Sequence, residues 1–212
     1  DPERLSAEKY TLGLYLTGHP IKQYEDEIQG FIPAKLVDLK PTPGTTSVAA
    51  GLVVNVRTLS SRRGRMAIVT LDDRTARIEV VVYSDTYQQY RDVLNKDQVL
   101  IVQGEVTLDE VTGLCAITAN ALLDLDAARA LYARRLLIRL DEQKLKNGFV
   151  GHLTRALEPY RNGVTPITIE YHRRDAHGLL KLGDAWKVTP TGALLDTLRG
   201  MGEAEWVGVE YT

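Results

Sequence analysis

Six residues, Pro41-Thr42-Pro43-Gly44-Thr45-Thr46, separate two kinds of periodicity in this chain, and that change constrains the fold more than anything else in it. Proline and glycine deny the stretch both helix and central strand, so it reads as a linker. Before it, apolar residues recur at helical spacing; after it, they alternate. Over 47–59, Leu52, Val54 and Val56 are expected inward, with Gly51, Val53, Asn55 and Arg57 outward. Two short strands are predicted at 66–72 and 76–83, bounded by the polar turns 60–65 and 73–75. Residues 84–94 predict a helix capped by Ser84, with Tyr87, Tyr90 and Leu94 at helical spacing. Strands at 98–108 and 114–123 enclose a loop at 109–113.

Three strands, one helix and two strands within about 80 residues is the order of an OB-type barrel. Gly51 and Gly104 fall inside strands, where a small barrel must bend tightly. A plain meander with an inserted helix is the alternative. Upstream, helical pieces are predicted at 6–17 and 21–29, then a short extended or turn segment at 33–40. Downstream, helices at 124–135, 142–158 and 189–199 alternate with strands at 136–140, 166–172, 179–188 and 206–211. The expected fold is mixed: a helical segment and linker over 1–46, a five-stranded OB barrel over 47–125, and a small α+β domain over 126–212.

The charge balance argues for a local binding site. The net charge is -2, so no global field attracts phosphate. Residues 128–161 nevertheless carry eight basic against three acidic groups, an excess of five. The single cysteine, Cys115, excludes an internal disulfide, fits a reducing cytoplasm and reads as a small buried hydrophobe. No apolar run approaches the ~20 residues of a membrane-spanning helix. The chain opens on Asp1 rather than methionine, which predicts a piece of a longer polypeptide.

Catalytic patterns are lacking. His19, His152, His172 and His177 have no zinc-like partners, and no phosphate loop or dinucleotide fingerprint occurs. Asp72-Asp73 suggests a two-metal site only superficially, since neighbours on a strand point to opposite faces; a turn-forming pair is the expectation. No catalytic residue, metal ligand or cofactor site is assigned.

A binding surface is easier to find. In the outward register, Arg57, Ile68, Thr70, Arg77, Val81 and Tyr83 lie across the first three strands. The first loop adds Arg62, Arg63 and Arg65, and Lys96 flanks the groove from the other side, whereas Asp109 and Glu110 would repel phosphate. Guanidinium groups neutralise phosphates and an exposed tyrosine can stack on a base, so weak, sequence-tolerant binding of single-stranded nucleic acid is expected. Carboxylates or a helix over this groove would overturn that expectation. The downstream domain holds Trp186, Trp206, Tyr171, Tyr211 and Met201, which suit either its core or a protein-docking surface.

Two stretches go beyond a generic barrel. One is Lys9-Tyr10-Thr11-Leu12-Gly13-Leu14-Tyr15-Leu16-Thr17-Gly18-His19-Pro20-Ile21; the other joins Ala50-Gly51-Leu52-Val53-Val54 to Arg62-Arg63-Gly64-Arg65-Met66-Ala67 and Leu71-Asp72-Asp73-Arg74. Together with Asp126-Ala127-Ala128-Arg129 and Trp186-Lys187-Val188-Thr189-Pro190, the chain resembles the C-terminal region of the bacterial DNA polymerase III alpha subunit, in its gammaproteobacterial form. The resemblance implies that the barrel contacts single-stranded template DNA and that the last domain docks the clamp-loader tau subunit. Trp186 and Leu195 are then the candidate docking residues, with other replisome subunits reached through the parent chain. The family's catalytic carboxylates and clamp-binding motif have no matching positions here. The fragment itself is expected to be monomeric and not membrane-bound. A structural or protein-interaction barrel remains the alternative, and an anticodon-binding module is disfavoured because too little chain follows the barrel for a catalytic domain.

Overall fold

The computed structural model describes residues 20–32, 34–62, 64–108 and 113–211. The helix expected at 6–17, Arg63 and the acidic pair Asp109-Glu110 lie outside the described residues. The chain divides into two compact units between Leu125 and Asp126.

The first unit is a closed barrel of five strands in the order β1-β2-β3-β5-β4. These are β1 (Thr46–Ser61), β2 (Gly64–Asp72), β3 (Arg77–Val82), β4 (Val99–Leu108) and β5 (Cys115–Leu123). A helix, α2 (Ser84–Tyr90), follows β3, after the shorter α1 (Glu25–Gln29) that precedes the barrel. All pairings are antiparallel except β3 with β5, the seam at which an OB barrel closes. Val53, Val69, Leu71, Val80, Leu100, Val102 and Ile117 are within 1% of full burial and fill the interior.

Two expectations fail here for local reasons. The register on β1 shifts between Val53 and Asn55, a bulge that places two residues against one and reverses the alternation. Val53 therefore enters the core, Val56 only flanks it, and Leu52 is buried from the outer side. Ser84 is the first helical residue of α2 and is itself buried; Tyr83 holds the cap position, and no side chain caps the helix.

The chain before β1 is tied to the barrel by burial of Leu36, by the Arg74–Glu25 ion pair, by the Gly44 N–H donating to Glu105, and most densely through the Asp73 carboxylate. Asp73 Oδ2 accepts from the Leu36 N–H at 2.8 Å, and Oδ1 accepts from the Thr75 N–H, the Thr75 hydroxyl and the Ala76 N–H. Burial raises the Asp73 pKa, but these hydrogen bonds outweigh it and hold the carboxyl below its usual range. Asp72 Oδ1 accepts from the Arg74 N–H at 2.8 Å, so both carboxylates serve the turn. Among the described residues no cluster of histidine, cysteine and carboxylates could hold a metal, and no helix is long and apolar enough to cross a membrane.

The second unit is a four-stranded sheet with helices packed on one face. Its elements are α3 (Leu125–Tyr132), β6 (Ala133–Asp141), α4 (Phe149–Leu157), β7 (Arg161–Thr165), β8 (Ile167–Arg173), β9 (Ala176–Lys181), α5 (Gly192–Gly200) and β10 (Ala204–Tyr211). The sheet order is β10-β6-β8-β9, with β6 and β8 parallel. Leu136, Ile138, Leu153, Leu157, Ile167, Leu194, Leu195 and Val207 form its core. The helix expected over 142–158 starts only at Phe149, because Gly148 sits at φ +87 and breaks the run. The strand expected over 179–188 is displaced to Ala176–Lys181 and followed by a 3-10 turn, Asp184–Trp186. Thr191 caps α5 by accepting from the Leu194 N–H, and Asp126 Oδ1 accepts from the Gly192 N–H at 2.8 Å.

A β-carbon at Gly104 would overlap the Thr118 carbonyl and stand 2.8 Å from Ile117 Cγ2. Gly104→Ala should therefore lower unfolding stability by about 1–3 kcal/mol or more in urea titration, whereas Gly151→Ala, with open space in α4, should gain a few tenths up to about 1 kcal/mol. Asp73→Ala should cost about 1–2 kcal/mol at pH 7 through missing turn and tether hydrogen bonds. A lowered pKa stabilises the fold above the ordinary aspartate value of 3.8 and loses that contribution as pH falls below it, so wild type and variant should converge in acid melts.

Candidate nucleic-acid interface

Side chains on the outer face of the barrel fall into rows set by strand register. Arg57 lies opposite Ile68, which lies opposite Val81; Asn55, Thr70 and Glu79 form the next row, and Leu52, Asp72 and Arg77 the one beyond. The far end of this face is covered. Ile21, Ile28 and Ile32 line a small cavity with Ala50, and Leu52, on the same side as Ala50, is 1% exposed. The open part runs from Asn55 toward the β1–β2 hairpin.

The open face is less basic than the sequence suggested. Arg57 Nη2 lies 2.8 Å from Glu79 Oε1, and Arg77 Nε lies 2.7 Å from Asp72 Oδ2. Arg57 and Arg77 are thus each matched by a carboxylate of the same face, the middle of the groove is electrically neutral, and the expected arginine-lined path across the sheet is overturned there. Glu79 was overlooked, although it shares the alternation of Arg77, Val81 and Tyr83. Both arginines remain well exposed, so a phosphate could compete for them, as exposed pairs are worth only about 0–1 kcal/mol.

Unpaired positive charge sits at the hairpin end. Arg62 and Arg65 are exposed, and neither has a carboxylate partner among the described residues. The hairpin is tight: the Ser61 hydroxyl donates to the Gly64 carbonyl at 2.9 Å, and Gly64 adopts φ +114, which disfavours any other residue. A β-carbon on Gly64 would touch Ser84, so the hairpin tip lies against the residue that follows Tyr83.

Tyr83 is 55% exposed just past the end of β3, beyond the Ala67–Val82 pair. In the adjoining row Leu59, 46% exposed, faces the half-buried Met66. Tyr83, Leu59 and Met66 share this outward row as an apolar shelf, with Arg62 in the adjoining turn; Arg65, next to Met66 on β2, alternates to the other face of the hairpin. The sequence reading missed Leu59 and Met66, whose signal was the outward alternation continuing from Arg57 past the bulge. Lys96 is exposed on the opposite side of β1, where the Asp97 N–H donates to the Val53 carbonyl at 2.8 Å.

Neither expected docking residue of the second unit stands free. Leu195 is 1% exposed in the core and offers no surface, because α5 turns it inward with Leu194 and Leu198. Trp186 is half-buried against that core, with the Arg161 guanidinium 4.7 Å above its ring. Trp206 is the more accessible indole at 43% exposure; it covers Gly208, and Arg139 lies 5.9 Å from its ring centroid. Arg139 Nε also meets Glu170 Oε2 at 2.8 Å, and that guanidinium together with the His172 imidazole holds the Glu170 carboxyl below its usual range.

The chain's relatives agree with this architecture. Residues 48–114 match a family model described as an OB-fold nucleic acid binding domain, and 152–201 match the C-terminal domain of DNA polymerase III subunit alpha. DNA polymerase III subunit alpha of Escherichia coli is 42% identical over 210 residues, 98% of this chain. The subunits of Pseudomonas aeruginosa and Vibrio cholerae are 40% and 38% identical over 210 residues each. The chain spans 18% of the length of each of these relatives. Among solved structures, a single-stranded DNA-binding protein of Mycobacterium smegmatis overlays on 38% of this chain and 88% of its own, with 15% identity and a TM-score of 0.34, a likeness too slight to carry weight. With two successive family models on the two units and identity running through nearly the whole length, the chain belongs to the DNA polymerase III subunit alpha family, as a stretch of its C-terminal region.

Proposed function

We propose that the barrel holds single-stranded template DNA at its hairpin end and that the second unit docks the clamp-loader tau subunit, so that this stretch serves a replicative polymerase without itself carrying catalytic groups. The observation that supports the DNA reading best is the apolar shelf of Tyr83, Leu59 and Met66 at a hairpin end whose exposed Arg62 and Arg65 have no carboxylate partner among the described residues. A base can stack on the tyrosine while the guanidinium groups meet the flanking phosphates. Lys96 and, on local rearrangement, Arg57 and Arg77 extend the path. Arg63 belongs to the same basic run in the sequence.

The footprint is short. Ion pairing neutralises the sheet beyond Arg57, so only the hairpin end supplies net attraction, and binding is weak and salt-sensitive. The same ion pairs favour a second reading, a barrel that meets protein rather than DNA. On the tau side, exposed Trp206 is a better anchor than Leu195, and Trp186 contributes through its exposed edge.

Fluorescence anisotropy of labelled oligo-dT with this chain, at two salt concentrations, separates the two readings. Arg62→Ala with Arg65→Ala should weaken binding and lower the salt slope by about 0.7 for each phosphate no longer neutralised. Tyr83→Ala should cost about 1–3 kcal/mol of affinity with little change in that slope. Unaltered binding in both variants would leave the protein-interaction barrel standing. Glu79→Gln, which releases Arg57, should tighten binding; unaltered binding would show that Arg57 plays no part.

A further inference from the structure

The two edges of the second unit's sheet differ. On one side, β10 pairs with β6 through two register shifts, between Ala204 and Trp206 and between Glu210 and Tyr211. Such irregularities discourage another strand from pairing there. On the other side, β9 pairs with β8 in unbroken register from Thr168–Lys181 to Arg173–Ala176, with no bulge and no proline. All six residues of β9 are exposed.

That open edge displays apolar side chains on both faces. Leu179 lies opposite Glu170 and is 59% exposed; Leu180 lies opposite Ile169 and is 57% exposed. Proteins ordinarily blunt a long, regular edge, because its unpaired backbone groups recruit further strands. Here regularity and exposed leucines coincide, as in domains that bind a peptide by strand addition.

The charge around β9 selects the occupant. Residues 172–181 carry Arg173, Arg174 and Lys181 against Asp175, a net +2 in a chain of net -2. Arg173 is engaged by Glu142 and Asp175, but neither Arg174 nor Lys181 has an ion-pair partner among the described residues. A second copy of the chain would set like charges against each other across the edge. An extended segment with apolar residues between carboxylates would instead satisfy Leu179 and Leu180 together with Arg174 and Lys181.

We infer that β9 receives an extended, acidic-and-apolar segment of the docked partner as a fifth strand of the sheet. The inference rests on the tau-docking reading above and supplies its contact mode. Backbone hydrogen bonds along β9 give affinity, and the two leucines select apolar side chains on alternate faces of the incoming strand.

Surface plasmon resonance of this chain with the tau subunit, paired with amide hydrogen exchange of the complex, tests it. Leu179→Asp with Leu180→Asp should weaken binding at least tenfold, while Val150→Asp, at a still more exposed apolar site on α4, should not change it. In the wild-type complex the amides of 176–181 should gain protection, a readout that stands even where the double variant fails to fold. Full binding by a folded double variant, or a complex that leaves 176–181 unprotected, overturns the strand-addition inference and spares the tau reading. No binding of tau by the wild-type chain overturns both. Self-association abolished by the double variant would assign the edge to a second copy and overturn the partner proposed here.

Discussion

The barrel is closed by three residue pairs. Glu79 with Ala116, Val80 with Ile117 and Val81 with Thr118 are the parallel contacts that join β3 to β5, and without them the five strands would be an open, twisted sheet. Val80 and Ile117 point inward at essentially full burial, so the hydrophobic core holds the seam shut as much as the ladder does. Parallel pairing is also slightly weaker per residue than antiparallel, which leaves packing to decide closure. The convex face that carries the rows from Arg57 to Tyr83 takes its curvature from that closure.

A shared strand face also explains why the candidate site is smaller than its residue types suggest. Alternation that turns arginines outward turns every second neighbour outward as well, and on β2 and β3 those neighbours include Asp72 and Glu79. Cross-strand register then brings unlike charges together within hydrogen-bonding distance. Among the described residues of the barrel, the hairpin end is where arginines lack an acid across from them: Arg65 lies opposite Ser60 and Arg62 stands in the turn. What stands across the strand from each arginine, more than the count of basic residues, sets where phosphate is attracted.

Strand number, strand order and the intervening helix were legible because alternation and helical periodicity differ over short windows, and the 41–46 linker marks where one replaces the other. The bulge at Val53–Asn55 was not legible: an extra residue is visible only against its partner strand, and β2 lies beyond a turn. The single carboxylate Asp73 shows the same limit, since its role in fixing Leu36 depends on a contact 37 residues away. In the second unit, Gly148 could have been weighed as a helix stop, but Arg161–Thr165 bridges only Val188 and has too little alternation to be read as a strand. Leu195 was misjudged because helical position alone does not say which face a short helix buries; Leu194, Leu195 and Leu198 together do.

The placement of the aromatic residues has an optical consequence. Both tryptophans, Trp186 and Trp206, belong to the second unit, and the barrel contains none. One indole is half-sheltered beneath Arg161, and the other lies open over Gly208. Excited at the red edge of protein absorption, the chain would emit from its second unit alone, its barrel spectroscopically silent. An emission change on adding a ligand would therefore carry an address as well as a signal.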